Sequence, residues 1–278
     1  MEQERIPGFE WEKGQSVAYI KDYENETIYL KMPLVRLANR MIELAADGLP
    51  LTTTGNPKLA VLKELYPLGP SDWYIELHPE KQISMITCMT LAEIWDLLRA
   101  CDIFRKYKSK LKLTKLGKEL LGHPKQITHH LFYALATIAD TAMLDAYRLY
   151  PFNDTLDTVA EALEKYGSNY ETAAFYAEKY AEDNPGFEFY YKNPELKKES
   201  IRCFETRIMV RFYKWMGLVD EIEFRYDPIT QTIPPSQFKT TDHQIIGVDH
   251  QFYERLCQNS KMNSSHYMPI QLHKNYPS

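Results

Sequence analysis

The sequence predicts a mostly α protein with small β-hairpins. Three observations carry that reading. Apolar residues recur at helical spacing along most of the 278-residue chain. A lysine-rich stretch beginning at Arg105, RKYKSKLKLTK, alternates with Tyr and Leu directly behind an amphipathic helix. The same phrase, a helix followed by an apolar pair, a polar hairpin and a Thr-led ending, occurs again beyond residue 200.

Residues 1–29 read as an N-terminal segment: MEQERIPGFEWEKG is acidic and lacks the apolar run of a secretory leader. The first unit is expected over 30–123. In KMPLVRLANRMIELAADG, Pro33 suits the first helical turn, Leu34, Leu37, Ala38, Met41, Ile42 and Ala45 share one face, and Gly48 ends the helix. TTTGN then turns the chain before Leu59, Leu62 and Leu65 resume a helical stripe. Trp73–Leu77 and Ile83–Ile86 read as the two arms of a small hairpin. In TLAEIWDLLRACD, Thr90 and Glu93 have capping-box spacing ahead of the face formed by Leu91, Ile94, Trp95 and Leu98. Beyond Ile103 the chain is expected to double back through Tyr107, Leu111 and Leu113, with Thr114 starting a further helical turn.

A helical middle is expected over 124–192. Ile127, Leu131, Leu135, Ile138, Ala142 and Ala146 line one helix face; a second helix is capped at Asn153 or Asp154 and stopped at Gly167; SNYETAAFYAEKYAEDNPG supplies a third. The second unit spans 193–247. Asn193 and Pro194 take cap and first-turn positions, Leu196, Ile201, Phe204, Ile208, Phe212 and Trp215 share a side, a break is expected near Ser200, and Gly217 closes the helix. Residues 248–278 begin as a short helix and lose periodicity, which predicts an extended C-terminal arm.

In the repeated phrase, Ala100 to Phe104 and Thr114 match Gly217 to Val219 and Thr240–Thr241. Two winged-helix-like units would produce it. LPLTTTGNPK, LLRACDIFRKYKSKLKLTKLGKELL and MGLVDEIEFRY resemble the helical, winged-helix-like region of uncharacterised bacterial proteins that is also found attached to plasmid Orf-type domains of the pRiA class. The likeness covers roughly residues 30 to 245. The phrase of small residue, Leu, basic hairpin and Leu-Thr is shared with winged-helix regulators of the multiple-antibiotic-resistance type. The resemblance implies a fold and brings no catalytic residue with it.

Seven Lys and Arg fall within the fourteen positions from Arg105 to Lys118, in a chain of net charge -5. That balance opposes a surface that coats nucleic acid everywhere, because such binding needs a general excess of cations to displace counterions. It leaves room for a local basic face. On a wing, Arg105, Lys106, Lys108, Lys110, Lys112 and Lys115 would lie along the backbone of double-stranded DNA. Strand alternation places about half of them on either side, and a solvated hairpin would read the same way. The second hairpin carries Asp220, Glu221, Glu223 and Asp227 against Arg225, which repels phosphate and suits a protein partner. Arg202, Arg207, Arg211 and Lys214 fall close enough to share one ordinary solvated helix face.

Chemistry beyond binding has little foothold. His129 and His130 are adjacent and diverge on a helix, and Asp140 and Asp145 are five apart, so neither pair chelates one metal. There is no GxSxG, GxGxxG or Walker loop. Cys88, Cys101, Cys203 and Cys257 are scattered, which fits free thiols in a reducing cytoplasm, and Cys101 reads as a core thiol at a helix end. No uninterrupted apolar run reaches membrane-span length. The expectation is a cytoplasmic, non-enzymatic protein without cofactor, binding DNA as a regulator or accessory factor, or serving as a protein-interaction module.

Overall fold

Pro33 opens the first long helix of the computed structural model, which describes residues 17–137, 155–222, 235–241 and 246–249. Helix α1, Pro33–Ala45, buries Leu34, Val35, Leu37, Ala38, Met41, Ile42 and Ala45 completely. This fills the stripe its spacing predicts. Gly48, at φ 88°, turns the chain into the two-residue strand β2, Leu49–Pro50, ahead of the loop to α2, Leu59–Leu65. An N-terminal strand β1, Val17–Ile20, and a 3-10 turn, Glu26–Lys31, precede α1, so regular structure starts before residue 30.

Trp73–Leu77 is helix α3, not the arm of a hairpin. Buried Asp72 caps it: Oδ1 accepts the N–H groups of Tyr74 and Ile75 at 3.0 and 3.2 Å. Residues 83–86 form no strand either, because the hydroxyls of Ser84 and Thr87 fold them into a turn. Helix α4 runs from Met89 to Ala100, and Thr90 lies inside it rather than at its cap. Asp72 Oδ2 accepts the Thr90 N–H at 2.9 Å, so a distant carboxylate replaces the expected capping box. The chain then doubles back as β3, Phe104–Tyr107, and β4, Lys110–Leu113. Thr114 caps α5, Lys115–Leu120, accepting the Gly117 N–H at 3.0 Å. Helix α6, Pro124–Thr137, follows and packs on α1. Ile138, Ala142 and Ala146 of the long stripe, and the Asn153 and Asp154 caps, lie outside the described residues.

Helix α7 spans Thr155–Tyr166 and stops before Gly167 as expected. The segment read as a helical middle also supplies a strand, β5, Glu171–Thr172, followed at once by α8, Ala173–Asp183, and α9, Pro185–Lys192. Asn193 ends α9 and holds a turn before α10, Lys197–Phe204. Ser200 is buried and no break occurs there. The change comes at Glu205, where α10 passes into a π-helical segment, Glu205–Lys214. Five-residue bonds persist at its end, Trp215 N–H to Val210 C=O at 3.0 Å and Leu218 N–H to Tyr213 C=O at 2.8 Å. Strands β6, Val219–Ile222, and β7, Gln237–Thr240, come next. A last strand, β8, Ile246–Asp249, pairs antiparallel with β1. The short helix expected after residue 250 lies outside the described residues.

The result is a mostly helical protein with two antiparallel three-stranded sheets, ordered β2-β4-β3 and β5-β7-β6. The sheets correspond residue for residue. Phe104 pairs with Leu113 and Val219 with Thr240; Leu49 pairs with Leu111 and Glu171 with Phe238. At each helix-to-strand corner the chain takes positive φ, 54° at Asp102 and 65° at Gly217. A Thr leaving each hairpin closes that corner: Thr114 Oγ1 donates to Asp102 C=O at 2.6 Å and Thr241 Oγ1 to Gly217 C=O at 3.0 Å. The adjoining backbone bonds, Thr114 N–H to Ile103 C=O and Thr241 N–H to Leu218 C=O, are both 3.1 Å. Gly117 is required for a different reason. A methyl group there would sit 2.3 Å from Ile103 C=O, so α5 can close on the first hairpin only with no side chain.

Candidate nucleic-acid interface

The register of the first hairpin sets which cations share a face, because directly opposed residues project to the same side. Phe104, Leu113 and Leu111 are buried on the inner side, and Lys106 belongs to that side by pairing with Leu111. Arg105 stands opposite Lys112, and Tyr107 opposite Lys110, on the outer side. Lys108 and Ser109 form the two-residue turn, with Lys108 at φ 54°. The stems of Lys110 and Lys112 lie over Gly48, leaving their charged ends outward. Lys115 is not on the hairpin but in the first turn of α5, and its ammonium is 3.9 Å from Glu119.

Among the described residues, no carboxylate lies within ion-pair distance of Arg105, Lys106, Lys108, Lys110 or Lys112; all but Lys112 are exposed. Lys112 Nζ is 4.9 Å and Lys108 Nζ 5.7 Å from the Tyr107 ring centre, and that ring is itself half exposed. The outer side thus presents a half-exposed aromatic ring among ammonium groups, with two of them held over its face. Two like charges stand directly across the ladder at Arg105 and Lys112, an arrangement that costs stability. At the corresponding place in the second sheet, Asp220 stands opposite Lys239. That pair is opposite in sign, whereas the Arg105–Lys112 pair is not.

The basic helix face expected from Arg202, Arg207, Arg211 and Lys214 does not exist as a solvated surface. Arg207 and Arg211 are buried at 4% and 5% exposure. Arg211 makes a two-point ion pair with Glu93, Nε to Oε2 at 3.0 Å and Nη2 to Oε1 at 2.7 Å. Lys214 is paired with Glu221 of β6. Only Arg202 remains exposed. The Lys108 to Lys112 surface therefore does not continue along the second unit's helix. Nor is α4 a free groove reader: it buries Leu91, Ile94, Trp95, Leu97 and Leu98, its Glu93 lies under Arg211, and Asp96 pairs with Arg99 at 3.3 Å.

Other chemistry is sparse. His130 faces the Cys101 carbonyl at 3.1 Å, while His129 lies 3.6 Å from Asp22, which is also paired with Lys125 at 2.9 Å. Among the described residues no three His, Cys, Asp or Glu side chains converge as a metal site. Burial raises the Cys88 and Cys101 thiols to about 12 each. A shallow open groove of about 550 Å³ along α9 is lined by Pro185, Glu188, Phe189, Lys192, Asn193 and Pro194. Its charged groups, Glu188 and Lys192, are paired with each other. No helix among the described residues is long and apolar enough to cross a membrane. No protein family, curated protein or solved structure matches this chain.

Proposed function

We propose that the chain contains two winged-helix-like units and that the first binds the phosphate backbone of double-stranded DNA through its basic hairpin, as a regulator or accessory factor. The order helix, short strand, helices, strand, strand, with the first strand pairing with the last, supports the unit assignment in both halves. One observation carries the ligand: Arg105 and Lys112 face each other with no acid between them. A polyanion relieves that repulsion and releases its own counterions in doing so. Because Glu93 of α4 is tied to Arg211 of the π-helical segment, the binding is positional rather than base-reading.

The test is duplex binding across a salt series with random-sequence DNA. Affinity is expected to fall linearly on logarithmic axes, by a slope of about 0.9 for each phosphate neutralised. Arg105→Glu combined with Lys112→Glu should abolish it. Absence of binding at low salt overturns the reading and leaves the alternative, a protein-interaction module that uses its helical surface and the acidic second unit, with the basic hairpin structural.

A further inference from the structure

Two sheets that correspond residue for residue invite a comparison of what surrounds them, and they differ at the connection that follows the first strand of each. In the second unit β5 ends at Thr172 and α8 begins at Ala173. In the first unit, residues 51–58, LTTTGNPK, intervene between β2 and α2. That insertion contains no acid. It lies beside the hairpin that carries the unbalanced cations, because Leu51 N–H donates to Ser109 C=O in the hairpin turn at 2.8 Å.

The inserted loop is held in one shape. Thr52 N–H donates to Asn56 C=O at 2.8 Å, Asn56 N–H to Thr52 Oγ1 at 3.1 Å, and Gly55 N–H to Thr52 C=O at 2.9 Å. Thr53 and Thr54 stand exposed at its tip. Lys106 reaches it from the hairpin. Although Lys106 belongs to the inner side, its ammonium lies against Gly55, where a methyl group would come within 2.7 Å of Nζ. Gly55 also has φ 84°, so glycine suits both the backbone and the approach of the lysine. At the position corresponding to Lys106 the second unit has Glu221, whose carboxylate is taken by Lys214.

We infer that the loop Thr52–Asn56 is a second wall of the phosphate-binding surface, in which Lys106 and the Thr53 and Thr54 hydroxyls receive a phosphodiester group beside those held on the outer side of the hairpin. This rests on the backbone-binding reading above. Ammonium and hydroxyl donors are the groups that position phosphates, and here two elements absent from the other unit, the inserted loop and the unpaired lysine, meet at one point.

The experiment is fluorescence anisotropy of a labelled random-sequence duplex with the full chain, over a salt series, for wild type, Thr53→Ala/Thr54→Ala, Thr53→Ser/Thr54→Ser and Lys106→Met, each checked by thermal melting. The double alanine variant should weaken binding about 3- to 10-fold at fixed salt with the salt slope unchanged, since a neutral donor displaces no counterion; the serine variant should restore it. Lys106→Met should reduce the slope by about 0.9. If the alanine variant binds like wild type while Arg105→Glu combined with Lys112→Glu abolishes binding, the loop has no such role and the hairpin reading stands. If wild type binds no duplex at low salt, both fall.

Discussion

Arg211 of the π-helical segment and Glu93 of α4 meet in a buried two-point ion pair across 118 residues of sequence. Their side chains are 7% and 14% exposed, so neither charge keeps much water. Arg211→Leu or Glu93→Leu alone removes the two-point partner of a buried charge and should cost about 3–5 kcal/mol. The paired replacement by Leu and Met should recover most of that loss. A double-mutant cycle by chemical denaturation measures both.

The opposed cations of the first hairpin make the contrary prediction. Arg105→Glu should stabilise the free protein by about 0.2–1 kcal/mol, since it turns a like-charge cross-strand pair into an opposite one. The same change should weaken duplex binding. Thermal melting in the absence of DNA, beside the binding titration, separates a surface kept for stability from one kept for a ligand.

Gly117→Ala should be disproportionately damaging for a substitution that normally favours helix. Its methyl would meet the Ile103 carbonyl at 2.3 Å and Leu113 Cδ2 at 3.2 Å. The hairpin or α5 must shift, at a cost of about 1–3 kcal/mol. Loss of melting temperature together with weakened DNA binding is the expected outcome.

Cys88, Cys101 and Cys203 are buried, and burial pushes the first two thiols up to about 12. At pH 8 the folded protein should leave these two unmodified by iodoacetamide, because the thiolate is the reactive form. Peptide mass mapping before and after unfolding in denaturant reads this directly.

Glu205, at the start of the π-helical segment, is held above the usual carboxylate range by burial and by the neighbouring Glu221, against opposing help from Ser236 and Arg202. The folded state therefore binds its proton more tightly than the unfolded chain does. Stability from this residue is fully present below the ordinary Glu value and is lost as pH rises through the raised one. Glu205→Gln should flatten that part of the stability profile. Denaturation midpoints collected across the acidic range test the sign.

Helices with a full apolar stripe were readable in the sequence, and so was the first hairpin, where Leu111 and Leu113 alternate with lysines between helix and Thr cap. Strands β2 and β5 were not, because two residues leave no period. Trp73–Leu77 was ambiguous: five residues fit a strand as well as a helix, and the deciding group is Asp72, whose second oxygen serves α4. The candidate hairpin cations were readable individually, but their opposition across the ladder needed the register. The buried arginines were misread for a physical reason. Composition alone cannot distinguish a basic stripe facing water from one facing Glu93 on a remote helix, and π bonding shifts which residues turn inward together.

The pairing of β1 with β8 has a mechanical consequence. Val17 faces Asp249 and Ile20 faces Ile246, so a load entering at Val17 and Asp249 acts at the open end of the ladder. The clasp peels one pair at a time, as a zipper does, instead of resisting in shear. A force-spectroscopy trace pulled from those two points would show this four-residue fastening yield first, while both sheets behind it stay shut.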